Sequence, residues 1–172
     1  MTAPCGSGLS GCQATQCDTM KKILVLLICI LSLNQFCLAG DLPYDESANS
    51  AADIQAALLK AQAEKKEVLL IFGANWCKDC VELDRSLKGQ SAALINKKFV
   101  LVKVNVGQFD TNLNIANEYG NPIKKGIPAA VLLTSKNAVL YATHGGELAD
   151  ARTMGDQGIY DFFSGIEQHK QN

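Results

Sequence analysis

The stretch EVLLIFGANWCKDCVELDRSLKG, residues 67–89, constrains the fold more than any other part of the chain. Residues 67–72 open on Glu67 and run continuously apolar from Val68 to Phe72 until Gly73 ends them, the pattern of a buried central strand rather than of a helix. Beyond the turn GANW, the residues Cys80, Leu83 and Leu87 recur at helical spacing until Gly89 supplies a stop. Cys77 and Cys80 therefore sit where a buried strand turns into a helix. A strand that is apolar along its whole length must be covered on both faces, which commits the chain to a sheet between layers of helices.

The remaining segments fit that requirement. Ser50 with Asp53 is a capping signal before Ile54, Ala57, Leu58 and Ala61, the stripe of an amphipathic helix ending near Lys66. Residues 91–96 predict a short helix, and residues 97–106 a strand with Val100, Val102, Val104 and Val106 on one face and Phe99, Leu101 and Lys103 on the other. Lys103 is the odd member of its face. Asp110 is the expected cap of a helix running to Tyr119 and stopped by Gly120-Asn121-Pro122. Residues 127–134 and 137–143 read as two strands joined by a turn at 135–137, and Ile159, Phe162, Phe163 and Ile166 as a closing amphipathic helix. Between them, residues 144–158 form a loop of unusual length. Strands joined through helices are expected to pair in parallel by right-handed crossovers, and the closing pair to be antiparallel. The expected product is an α/β fold, a mixed four-stranded sheet flanked by helices on both faces.

The first forty residues have a different character. From Met20 the chain carries Lys21-Lys22, an apolar run over 23–33, a polar dip at Asn34 and Gln35, and small residues near Ala39, the layout of a secretory signal peptide over 20–39. The apolar run falls far short of the roughly 20 residues a membrane-spanning helix needs, which weighs against an uncleaved anchor. Bulky Ile28 and Phe36 before Cys29 and Cys37 weigh against a lipid anchor. Residues 1–19, with no basic start and no periodicity, read as an upstream extension, residues 40–52 as a polar, exposed lead-in, and residues 53–172 as the domain. Lys and Arg number 16 against 17 Asp and Glu, with no dense basic cluster, so nothing supplies the electrostatic footprint of nucleic-acid binding.

Of seven cysteines, Cys5, Cys12, Cys17, Cys29 and Cys37 fall in the segment expected to be absent or cleaved, leaving Cys77 and Cys80. A thiol acts as a nucleophile only as thiolate, and the free N–H groups and dipole of a helix N-terminus stabilise that anion. Cys77 sits at that terminus. Cys80, one turn on and on the Leu83/Leu87 face, is sheltered yet within reach of a mixed disulfide formed at Cys77. A zinc or iron site needs about four ligands, and the chain adds only His144 and His169, distant and in no ligand spacing, so no metal is assigned. Two inert core thiols are the remaining alternative, against which the helix-terminus position argues.

At this point the chain resembles the secreted bacterial members of the thioredoxin family. VLLIFGANWCKDC is similar to that family's strand and WCxxC, LVKVNV to its third strand, YGNPIKKGIPAAVLL to its helix end followed by Gly-Ile-Pro, and HGGEL to the glycine after the last strand. The resemblance spans residues 54–166 and implies a thioredoxin-like fold and thiol–disulfide exchange with no cofactor. It implies that Cys77 attacks and Cys80 resolves, that Pro128 is a cis-proline exposing the backbone of Ile127 to substrate, and that Trp76 and Gly145 line the substrate surface. The implied partners are disulfide-containing or dithiol proteins and a membrane-bound electron donor, for a monomer in the periplasm. Two departures stand out. Ile71 occupies the place of the family's buried acid, and Lys78-Asp79 replaces the familiar Gly-Pro between the cysteines. Lys78, Asp79 and Lys103 are thus expected to tune the thiols, with Lys103 under the redox helix and no buried partner except the thiolates, unless it reaches solvent at the strand's end. Reduction of protein disulfides is the leading function, with an oxidant or isomerase, or a non-catalytic adaptor of the same fold, as alternatives.

Overall fold

Every residue of β1 (Glu67–Gly73) is buried in the computed structural model, which describes residues 42–168. β1 pairs in parallel with β2 (Phe99–Asn105) and antiparallel with β3 (Ala129–Leu133), which in turn pairs antiparallel with β4 (Val139–Ala142). The result is the mixed four-stranded sheet that the patterning implies, in the order β2-β1-β3-β4.

Alternation along β1 divides the core into two layers. Val68, Leu70 and Phe72 face α1 (Ser50–Glu64) and α4 (Leu113–Glu118), together with the valines of β2. Leu69 and Ile71 face α2 (Lys78–Lys88), α3 (Ala92–Lys98) and α5 (Ala151–Gln168), through Leu83, Leu87, Ile95, Ile159 and Phe163. Each such Leu, Ile or Phe, fully buried, contributes roughly 1.5 to 3 kcal/mol.

β3 departs from the crossover rule. The connection from β2 starts and ends at the same end of the sheet, because Asn105 pairs with Gly73 and Ala129 with Phe72. Its helix, α4, has only six residues, about 9 Å of rise, too short to return the chain along a seven-residue strand of about 23 Å. The chain instead passes through a 3-10 turn (Pro122–Lys125) and enters β3 on the far side of β1, running the opposite way.

Four local expectations change with it. Asn49, not Ser50, caps α1, its side chain accepting from Ala52 N at 3.2 Å. Ser50 is buried, and its Oγ accepts from Asn112 Nδ2 at 3.2 Å. Asp110 does not cap α4; its carboxylate is used inside the preceding turn by Gln108 N and Thr111 Oγ1, and the helix starts after Asn112. The expected long loop is shortened because Leu148 and Ala151 are fully buried and helix resumes at Ala151, broken once at Gly155 (φ 65°, ψ 176°). The lead-in is not exposed throughout, since Tyr44 is among the buried core residues. The extension over 1–19, the signal peptide over 20–39 and His169 lie outside the described residues.

Candidate active site

Cys77 is the N-cap of α2, its Sγ accepting from Cys80 N at 3.1 Å, and it is joined to Cys80 in a disulfide with Cα atoms 5.2 Å apart. The turn that delivers it depends on Gly73. A Cβ there would collide with the Tyr44 ring and lie 3.0 Å from Cys80 Sγ, so the strand can pass this close to the dithiol only without a side chain. Asn75 fixes the same turn from outside, accepting from Tyr44 N at 2.9 Å and donating to Tyr44 O at 2.8 Å. Cys77 is 6% exposed and Cys80 0%, the order expected of an attacking and a resolving thiol.

The other residues expected to face substrate come from three loops at this end of the sheet. The Ile127-Pro128 bond is cis, and Ile127 O lies 3.6 Å from Cys77 Sγ. Trp76 is 49% exposed; its Nε1 donates to Gly107 O at 2.8 Å and its ring meets Phe109 edge-on at 6.1 Å. Phe109, Leu113, Ile123 and Lys124 line a cleft on that side. Gly145 lies exposed in the turn after β4, its N–H and that of His144 donating to the Glu147 carboxylate. Burial pushes the Glu147 carboxyl up, but backbone N–H groups, its own first and then those of His144 and Gly145, outweigh it and hold the group below its usual range. A Cβ on Gly146 would stand 3.2 Å from Lys125 O, which places this turn against the loop leading to Ile127.

Lys103 is where the structure corrects the sequence reading. Ile71 pairs with it across the strands as an apolar neighbour, but Lys103 is not left to the thiolates, because its Nζ forms an ion pair with Asp84 Oδ1. Asp84 also receives Lys88 Nζ at 3.0 Å, and Lys103 Nζ lies 5.7 Å from the Tyr44 ring centroid. The buried acid of this site is thus on α2, four residues after Cys80, rather than on β1. It was readable: Asp84 falls inside the Cys80, Leu83, Leu87 stripe, and a carboxylate on a buried helix face needs a partner. Tyr44, whose phenol burial pushes well above its usual value, closes the other side of Cys80.

The inter-cysteine pair divides in two. Lys78 is exposed. Asp79 accepts three hydrogen bonds from Arg152, from its backbone N at 3.0 Å, Nε at 3.1 Å and Nη2 at 3.1 Å. Burial pushes the Asp79 carboxyl up, but the Arg152 hydrogen bonds and charge outweigh that and hold it below the ordinary range. Arg152, Asn75 and Tyr44 carry no motif, which is why spacing alone passes them over. Among the described residues no three His, Cys, Asp or Glu side chains gather as a metal site needs, and no helix is long and apolar enough to cross a membrane.

Residues 49–135 match the family model described as thioredoxin-like. Among solved structures, the chain is similar to a disulphide isomerase from Xylella fastidiosa Temecula1, at 52% identity and a TM-score of 0.73, over 75% of this chain and 99% of that one. It is more distantly similar to a thioredoxin from Thermus thermophilus, at 22% identity and a TM-score of 0.47, over 66% of this chain and 80% of that one. A third is the C-terminal domain of DsbD from Neisseria meningitidis in its oxidised form, at 21% identity and 0.43, over 71% and 97%. Among curated proteins, none matches significantly.

Proposed function

This chain belongs to the thioredoxin-like family and is a thiol–disulfide oxidoreductase, and we propose that it reduces protein disulfides in the periplasm. The observation that carries the reading is Cys77: a sulfur that accepts from the Cys80 N–H at the start of α2, at the edge of solvent and 3.6 Å from the Ile127 carbonyl. A thiolate there is stabilised, and a substrate strand paired with the backbone of Ile127 brings its disulfide onto that sulfur.

The exchange balances in two steps. The Cys77 thiolate attacks one sulfur of the substrate disulfide, forming a mixed disulfide and releasing one substrate thiolate. Cys80, once deprotonated, attacks Cys77 Sγ, closes the 77–80 disulfide and releases the second. We assign the Cys80 proton to Asp84, which lies one turn along the same face and is charge-balanced by Lys103. The substrate thus gains two electrons, and a dithiol protein, for which we assign a membrane-bound donor, returns the 77–80 disulfide to its reduced form. Export rests on the signal-peptide layout of residues 20–39, with the mature monomer starting near Gly40.

Isomerisation is the second reading, favoured by the name of the Xylella relative. Equilibration with glutathione, read by alkylation and mass, separates reductant from oxidant: a potential below about −220 mV supports reduction, and one near −120 mV, where the strongest oxidants of this fold lie, overturns it.

A further inference from the structure

Asp79 is the one anion between the two cysteines, in the first turn of α2. Left alone, a carboxylate in that place opposes a thiolate at Cys77. It is not alone, because three N–H donors of Arg152, the backbone N, Nε and Nη2, end on it. The hold crosses from one element to another, 73 residues away in sequence. It is also the first of several polar contacts between α2 and α5, followed by Arg85 Nη2 to Asp156 Oδ1 at 2.8 Å; beyond α2, Gln90 Nε2 donates to Gln157 Oε1 at 3.1 Å. Arg152 stands on the short helical turn before the break at Gly155, on the same segment as Gly145 and the buried Leu148.

We propose that Arg152 is a positioning residue of the redox site: its three-point hold cancels the charge of Asp79 beside Cys77 and fixes that carboxylate on the first turn of the redox helix. The inference rests on the reading of Cys77 as the attacking thiol. The other charged or titratable groups around the dithiol are Lys78 on α2, Asp84 with Lys103 and Lys88 beneath it, the Tyr44 phenol, and Glu147 with His144 in the turn after β4. None of these is altered in the test below. A helix cap with no electrostatic task is the competing account, since Asp79 also satisfies the backbone N–H of Arg152.

A cap with no electrostatic task leaves the Cys77 midpoint in place, whereas the proposal moves it in opposite directions in the two single variants. In a Cys80→Ser background, so that Cys77 titrates alone, thiolate absorbance is followed against pH for Arg152→Gln, Asp79→Asn, Arg152→Lys and the Arg152→Gln/Asp79→Asn double variant. Arg152→Gln should raise the Cys77 midpoint by about half a unit, as expected of a nearby unit charge seen through a mostly aqueous medium. Asp79→Asn should lower it by a similar amount, Arg152→Lys should stay near the parent, and the double variant should return to it. Single variants that shift the midpoint in the same direction, or not at all, overturn the proposal. Should Arg152→Gln fail to fold, the downward shift in Asp79→Asn still decides. The titration needs no turnover, so a protein that exchanges no disulfides would refute the proposed function while leaving this result readable.

Discussion

Lys103 and Asp84 form an ion pair beneath the redox helix, with side chains 18% and 10% exposed, and Asp84 lies one helical turn beyond Cys80. Removing one member leaves the other charge poorly compensated, whereas removing both removes the desolvation cost as well. Asp84→Asn should therefore destabilise the protein by about 1 to 3 kcal/mol, less than a fully buried pair would cost. Lys103→Met should cost less, because Asp84 keeps Lys88. Urea unfolding of the double variant Asp84→Leu/Lys103→Met should recover most of the loss. A double variant as unstable as the sum of the singles would mean that the pair is not coupled.

The same carboxylate carries a kinetic prediction. If Asp84 takes the Cys80 proton, Asp84→Asn should slow release of the mixed disulfide by roughly 100-fold or more while leaving the first attack by Cys77 near normal. Stopped-flow measurement of the two phases checks it, and equal slowing of both would move Asp84 out of the proton's path.

On the proposed roles, with Cys77 the more exposed residue and Cys80 fully buried, Cys80→Ser should accumulate mixed disulfides with substrate and Cys77→Ser should form none. Non-reducing electrophoresis after a disulfide substrate is added gives the answer, and trapping by both variants alike would erase the assigned roles.

Much of this architecture is legible in the residues. The continuous apolar run over 68–72 places the central strand, and the Cys80, Leu83, Leu87 stripe places the helix that follows. Patterning does not fix the direction of β3, because that depends on the six-residue length of α4, which hydrophobic spacing overstates when Asp110 resembles a cap. Within the site, Cys77, Cys80 and Pro128 announce themselves by motif. Arg152 and Tyr44 do not, because each acts through a contact made across tens of residues, and Lys103 finds its partner on another element.

Asp79 and Glu147 both sit below the usual carboxylate range in the folded protein. A depressed folded value adds stability that is fully present above the unfolded value of about 4 and is lost as pH falls through the folded one. Asp79→Asn should thus be less stable than wild type at neutral pH, with the gap closing below about pH 4. Urea midpoints at stepped pH measure it, and a gap that stays constant into acid would show that the charge of Asp79 is not what stabilises.

Gly73→Ala would push a methyl group into Tyr44 and Cys80 Sγ. Overpacking of this kind costs about 1 to 3 kcal/mol, and it should also shift the redox equilibrium because the strain bears on one of the two sulfurs. Thermal unfolding of the oxidised and reduced forms should show unequal losses, and equal losses would place the strain in the strand alone.

Catalysed reduction is the most direct test of the central claim. The purified protein is mixed with a disulfide-linked test protein and a small dithiol, and release of the reduced chains is timed. Wild type should exceed the dithiol alone by at least tenfold, with Cys77→Ser at the uncatalysed rate; wild type and Cys77→Ser releasing chains at the same rate would contradict the account.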